Sequence, residues 1–205
     1  MSLRVYGVIM HDGQGPPQLP TGVQMHALRE LAAVAEEGDY SPRDINAADI
    51  ARHLEIVEKL FAQDAVLPTP VGTIFRSAEV LQRWIDLHYV ALSDALAWVE
   101  DRVAARVHVG RAAGEGSTGG EIDPDLAAVA AEVARSLRRR AVASVPIRNE
   151  SDMVTALSSA YLVEAELWHE FADSINDEQE RHPLLRISLT GPWPPYDFVR
   201  LQFGA

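Results

Sequence analysis

The chain has 205 residues, 47% of them apolar and 23% charged, an ordinary globular composition that can bury one large or two small cores without a metal or disulfide staple. It contains no cysteine, which excludes a disulfide framework, a zinc–thiolate site and a cysteine nucleophile. Eighteen basic residues against thirty acidic ones give a net charge of −12, which repels a nucleic-acid backbone and argues against DNA or RNA as a partner.

The opening MSLRVYGVIMHDG lacks the basic, apolar and small-residue regions of a signal peptide. No apolar run approaches the roughly 18 residues of a spanning helix. The expectation is a cytoplasmic protein with no membrane span. Leu3 to Met10, rich in β-branched and aromatic residues, reads as a strand. A Gly/Pro turn region, Asp12 to Gly22, follows. Val23 to Glu37 is ambiguous: Leu28, Leu31, Ala32 and Ala35 fit helical spacing and propensity favours helix, while a strand stays open.

Ser41-Pro42-Arg43-Asp44 has the form of a helix start, with the helix running to about Gln63 and Ile50, Leu54, Val57, Leu60 and Phe61 as its apolar stripe. Ala65–Leu67 and Val71–Phe75 are short strand-like pieces. Ser77 opens a second long helix whose buried face includes Val80, Leu81, Trp84, Ile85, Leu92 and Val99. Arg102 to Val109 alternates as a half-buried strand does. A glycine-rich insert, Gly110 to Glu121, separates it from a helix opened by Asp123-Pro124 and closed by Arg138-Arg139-Arg140, an arginine run that reads as a solvated helix end ahead of an anion site.

Strand formers return at Ala141–Ile147, and Asn149 to Asp152 reads as a turn. Met153–Val163 reads as a strand, Glu164–Asp177 as a helix with Leu167, Trp168, Phe171 and Ile175 inward, and Leu184–Leu189 as a final strand. The order from about residue 101 is strand, helix, strand, strand, helix, strand, that of a ferredoxin-like domain. The predicted fold is therefore α+β, with an N-terminal α+β domain over 1–100 and a modified ferredoxin-like domain with a Pro/aromatic tail over 101–205.

Signatures of chemistry fail one after another. His169-Glu170 begins like the zinc helix HExxH, but Asp173 stands where the second histidine belongs. His53 and Glu55 lie two apart on a helix and point to different faces. No Walker, dinucleotide or GxSxG pattern is present, and each of the seven histidines reads first as a solvated or satisfied polar residue. Trp84, Trp98 and Trp168 read as core anchors. The expectation is no cofactor, no metal and no catalytic set.

One stretch stands apart: Thr190-Gly191-Pro192-Trp193-Pro194-Pro195-Tyr196-Asp197-Phe198-Val199. Three prolines remove three backbone donors and exclude a central strand, and an extended Pro-rich segment loses little entropy when it is immobilised. Trp193, Tyr196 and Phe198 are large rings for an exposed tail. Two compatible roles follow, a latch that ties the C-terminus to its own domain and a docking segment for a partner, with the latch the simpler of the two.

This stretch is similar to the C-terminal signature TGPWPPYSFV of the GvpF/GvpL family of gas vesicle proteins, with Asp197 in place of the usual Ser. Val5-Tyr6-Gly7-Val8-Ile9 resembles the family's opening strand. Ala65 to Phe75 resembles its VLPLRFGTVF segment, with Thr69-Pro70-Val71 for Leu-Arg-Phe, and Ser159-Ala160-Tyr161-Leu162-Val163 resembles its AAYLV segment. The resemblance favours a strand within Val23–Glu37. It implies a two-domain α+β protein and a non-enzymatic accessory or minor structural role in gas vesicle assembly. The implied partner is the small hydrophobic shell protein, with other vesicle accessory proteins beside it, and Trp193, Tyr196, Phe198 and Tyr161 are the candidate contacts. The alternative is a ferredoxin-like small-molecule-binding protein or enzyme unrelated to vesicles.

Overall fold

The computed structural model describes residues 1–11, 17–40, 45–111, 124–148 and 154–199. Two compact units divide the chain: Met1–Glu100 together with the chain from Pro194 onward, and Asp101–Trp193.

The first unit is built on an antiparallel sheet. Its strands are β1 (Ser2–Met10), β2 (Val23–Leu28), β3 (Leu31–Gly38), β4 (Val66–Pro68) and β5 (Ile74–Phe75), in the order β2-β3-β1-β4, with β5 also paired to β1. The ambiguous stretch Val23–Glu37 is thus a hairpin, and the helical expectation there is corrected. Its two-residue turn, Arg29-Glu30, places Arg29 at φ 56°. Leu31 to Ala35 are all buried, because β3 lies inside the sheet and both of its faces are covered. A strand buried on both sides loses its polar/apolar alternation, and a run of alanines then imitates a helix.

Helix α1 (Ala47–Phe61) covers one face through Ile56, Val57 and Leu60, which pack with Tyr6, Ile9, Val34 and Val66. Helices α2 (Ala78–Leu87) and α3 (Tyr89–Val99) cover the other, joining Leu81, Trp84, Ile85, Leu92 and Leu96 to Leu3, Val5, Leu31 and Ala33. The expected single helix from Ser77 to Val99 breaks at His88 (φ −104°, ψ 12°), whose ring stacks on Trp84 at 4.7 Å.

Helix α1 starts at Asn46. Its side chain accepts from the Ala48 and Asp49 amides at 2.8 and 3.1 Å, while Asp49 accepts from the Asn46 amide, a complete capping box. The start expected at Ser41–Asp44 lies on residues outside the described ones. The stripe also turns: Ile50 and Leu54 are exposed, and His53 is buried instead. Asn46→Ala is expected to lower the stability of this unit by about 1 kcal/mol, read as a shift in the urea midpoint with unchanged slope.

The second unit runs β6 (Arg102–Arg111), α4 (Pro124–Arg138), β7 (Ala143–Pro146), β8 (Val154–Glu164), α5 (Trp168–Arg181) and β9 (Arg186–Trp193), with a 3-10 turn, Ala165–Leu167, before α5. The sheet order is β7-β8-β6-β9 and every pairing is antiparallel, the ferredoxin-like arrangement. Helix α4 lies over β8 and α5 over β9, and the two helices touch. Leu126, Ala130, Val133, Leu137, Phe171 and Ile175 supply their buried faces. Leu167 is exposed and Trp168 half-buried, so the inward face expected of α5 shifts to Phe171, Ser174, Ile175 and Glu178. Trp98 is 44% exposed, so of the three expected tryptophan anchors only Trp84 is buried. The glycine-rich insert beyond Arg111, the Asp123 cap and the Asn149–Asp152 turn lie outside the described residues.

Candidate functional site

The Pro/aromatic stretch is shared between the units. Thr190 to Trp193 end β9, an edge strand, as Pro192 within it requires. From Pro194 on, the chain packs into the first unit rather than the second, where the sequence places it. Pro194 and Pro195 are buried, Tyr196 lies against the α1-side cluster and Val199 against the α2/α3-side cluster. The Tyr196 and Phe198 amides donate to the Pro194 and Pro195 carbonyls at 2.8 and 3.0 Å, folding the segment into consecutive tight turns. The expected latch onto the second domain is therefore corrected: the segment after Trp193 is held on the first unit.

Trp193 belongs to the second unit, opposite Ala104 of β6, and stays 39% exposed. Its indole N–H donates to Thr190 Oγ1 at 3.1 Å. Gly191 sits between two rings. A Cβ built on it would lie 2.8 Å from the Ala104 carbonyl oxygen, 3.0 Å from the Trp168 ring and 3.4 Å from the Trp193 ring. The glycine therefore lets β6, Trp168 and Trp193 converge. Leu167, before Trp168, is 38% exposed, and the adjoining Glu166 and Glu170 are exposed carboxylates. The result is an apolar patch with acidic neighbours at the sheet edge.

The other candidates are less available. Tyr196 and Phe198 are half-buried on the first unit. Tyr161 on β8 is fully buried, its ring 5.6 Å from that of Phe171, and burial raises its phenol above the usual range. It serves the core between sheet and helices.

The first unit also holds a polar cluster that sequence reading misses. Arg4 pairs with Asp49 and lies 4.1 Å over the Tyr40 ring. Tyr6 donates to Glu36 at 2.7 Å, and Arg52 bonds the other Glu36 oxygen at 3.3 Å. Burial, then Glu36, holds the Tyr6 phenol protonated far above its usual range. The Asn46 amide, then Arg4, holds Asp49 below its usual range. His53 is fully buried beside Tyr6, ring to ring at 5.5 Å, and neither of its nitrogens makes a hydrogen bond of normal geometry. Burial lowers its pKa to about 4, against a weaker opposing contribution from the Thr69 backbone. The cluster joins residues far apart in the chain, so no local spacing could have signalled it.

A perturbed histidine in a cavity would have favoured a ligand-binding reading. Two concavities bounded by described residues, a 240 Å³ cavity by Leu126, Arg181 and Leu185 and a 580 Å³ open groove by Arg29, Asp86 and Tyr89, do not include His53. Among the described residues no three His, Asp or Glu are placed to hold a metal ion, and no helix is long and apolar enough to cross a membrane.

The family described as "Gas vesicle synthesis protein GvpL/GvpF" matches residues 3–115 and 113–200. Gas vesicle protein F2 of Halobacterium salinarum is 27% identical over 185 residues, covering 87% of this chain and 81% of its own. Gas vesicle protein F1 of the same organism is 26% identical over 184 residues, covering 86% and 81%. The crystal structure of gas vesicle protein GvpF from Anabaena sp. superposes with a TM-score of 0.79 at 12% identity, covering 98% of this chain and 99% of that one. GvpF from Microcystis aeruginosa gives 0.74 at 15%, with the same coverage. At those identities the structural likeness speaks for the fold.

Proposed function

This chain belongs to the GvpL/GvpF family of gas vesicle synthesis proteins, and we propose that it binds the small hydrophobic shell protein in the cytoplasm and supports vesicle formation, as an assembly factor or a minor component of the vesicle. Its role is gas-vesicle related by family; shell-protein binding is our reading. A shell subunit exposes apolar surface before it assembles, and such surface aggregates unless a soluble partner covers it. A protein of net charge −12 that offers a small apolar patch fits that task.

One observation carries the reading. Trp193 stays 39% exposed although its neighbours fix it in place. An aromatic ring held rigid at the surface loses little entropy on docking and suits an interface anchor. Tyr196 and Phe198, packed on the first unit, are secondary contacts, and Tyr161 supports the patch's unit from within.

Co-expression of the wild-type protein with the shell protein of its own vesicle system is expected to give a complex stable to gel filtration. Trp193→Ala, verified as folded, is expected to weaken it at least tenfold, as loss of an interface aromatic worth about 2 kcal/mol does. Equal retention of the shell protein by wild type and variant would remove Trp193 from the interface.

A further inference from the structure

Strand β9 carries a device beyond the Trp193 patch. It is an end strand of its sheet, eight residues long, from Arg186 to Trp193. The opposite end strand, β7, is four residues long and closes on Pro146, a protected edge. On β9 the side chain of Gln179, from α5, accepts from the Ile187 amide at 2.9 Å and donates to the Leu185 carbonyl at 2.8 Å. One side-chain amide there makes the two bonds that a residue of a neighbouring parallel strand would make.

That bond also fixes the orientation of the strand. The Ile187 amide points away from β6, so in an antiparallel ladder Ser188 and Thr190 bond to β6 while Leu189 presents its N–H and C=O outward. Among the described residues Gln179 satisfies only the first step of this edge. Beyond it lie the Ile187 carbonyl and both Leu189 groups, and then the prolines and Trp193.

We infer that the outer edge of β9, from Ile187 to Thr190, receives an extended strand of the docked partner, parallel to β9 and continuing the line that Gln179 begins. The inference rests on the docking reading above and specifies its form. The occupant is a strand with basic flanks. Helix α5, which packs on β9, exposes Glu170, Asp173, Asp177 and Glu180 against Arg181 alone. A second copy of this chain would bring the same carboxylates against them, so charge complementarity favours a Lys/Arg-bearing partner. Main-chain bonds would supply affinity at the edge, and Trp193 a side-chain anchor at its end.

The test is residue-resolved amide exchange on the full-length protein, alone and in its complex with the co-expressed shell protein. The Leu189 amide is expected to slow at least tenfold in the complex, with Ile187, already held by Gln179, changing less. Leu189→Pro removes an outward donor and no bond to β6, and it is expected to reduce co-purification at least tenfold. Should that variant fail to fold, the wild-type exchange decides. A complex that leaves Leu189 exchange unchanged overturns the edge inference and leaves the docking reading standing. Absence of any complex overturns both. Slow Leu189 exchange in the protein alone, with a dimeric mass by light scattering, assigns the edge to a second copy and overturns the inference.

Discussion

Gly191→Val is expected to destabilise the second unit by about 3 kcal/mol, measured as the urea midpoint followed by tryptophan fluorescence. Two separable effects add. Gly191 lies at φ 131°, where an L residue costs about 1–3 kcal/mol. Its new Cβ would also stand 2.8 Å from the Ala104 carbonyl oxygen and 3.0 Å from the Trp168 ring, so β9 must retreat from β6 or the tryptophan must leave its place. Backbone contact cannot yield as a flexible side chain does, and forced overpacking typically adds about 1–3 kcal/mol. Gly191→Ala keeps most of the penalty, since φ and Cβ already supply it. A Gly191→Ala protein as stable as wild type would show that the chain reaches this bend by another backbone route.

Acidification is the second large effect. His53 titrates at about 4 in the folded protein against 6.5 when exposed, because burial penalises its charged form. Between those values the unfolded chain binds a proton that the folded one does not, so stability rises with pH there. The contribution is complete above about pH 6.5, falls as the pH drops toward 4, and is flat below. At about 1.4 kcal/mol per pH unit the loss reaches about 3 kcal/mol. Urea titrations of wild type and His53→Leu from pH 7 to 4 check this. The wild-type slope should flatten in the variant, and parallel curves would mean that the acid sensitivity lies elsewhere. Asp49, held below its usual range by the Asn46 amide and Arg4, loses its contribution only as the pH falls through its own lowered value.

Much of this fold is legible in the sequence because most of its elements have one buried face. β6 alternates from Ala105 to Val109, α4 keeps its stripe, and the βαββαβ order of the second unit follows from them. The losses have physical causes. β3 is covered on both sides and so lacks a period, the α2–α3 break is a single residue, His88, and α1 turns its His53 inward while Ile50 faces solvent. The candidate site is legible only in part. Trp193 stands out by composition and is exposed, but nothing local shows that Tyr161 is sealed beneath α5 or that the tail after Pro194 departs to the other unit. The Glu36–Tyr6–Arg52 and Arg4–Asp49 links depend on pairings formed only once the sheet and α1 have met.

The return of the tail to the first unit makes the second an insertion, and this sets an order on the ribosome. The stretch Asp101–Trp193 is continuous and can close its sheet as soon as β9 has emerged. The earlier unit must wait, with the surface that Tyr196 and Val199 will cover still open, until those two residues are made. At about 5–20 residues per second, the delay while an insert of roughly a hundred residues is translated is on the order of 5–20 seconds. The unit whose strands emerge earlier is thus completed after the one inserted into it.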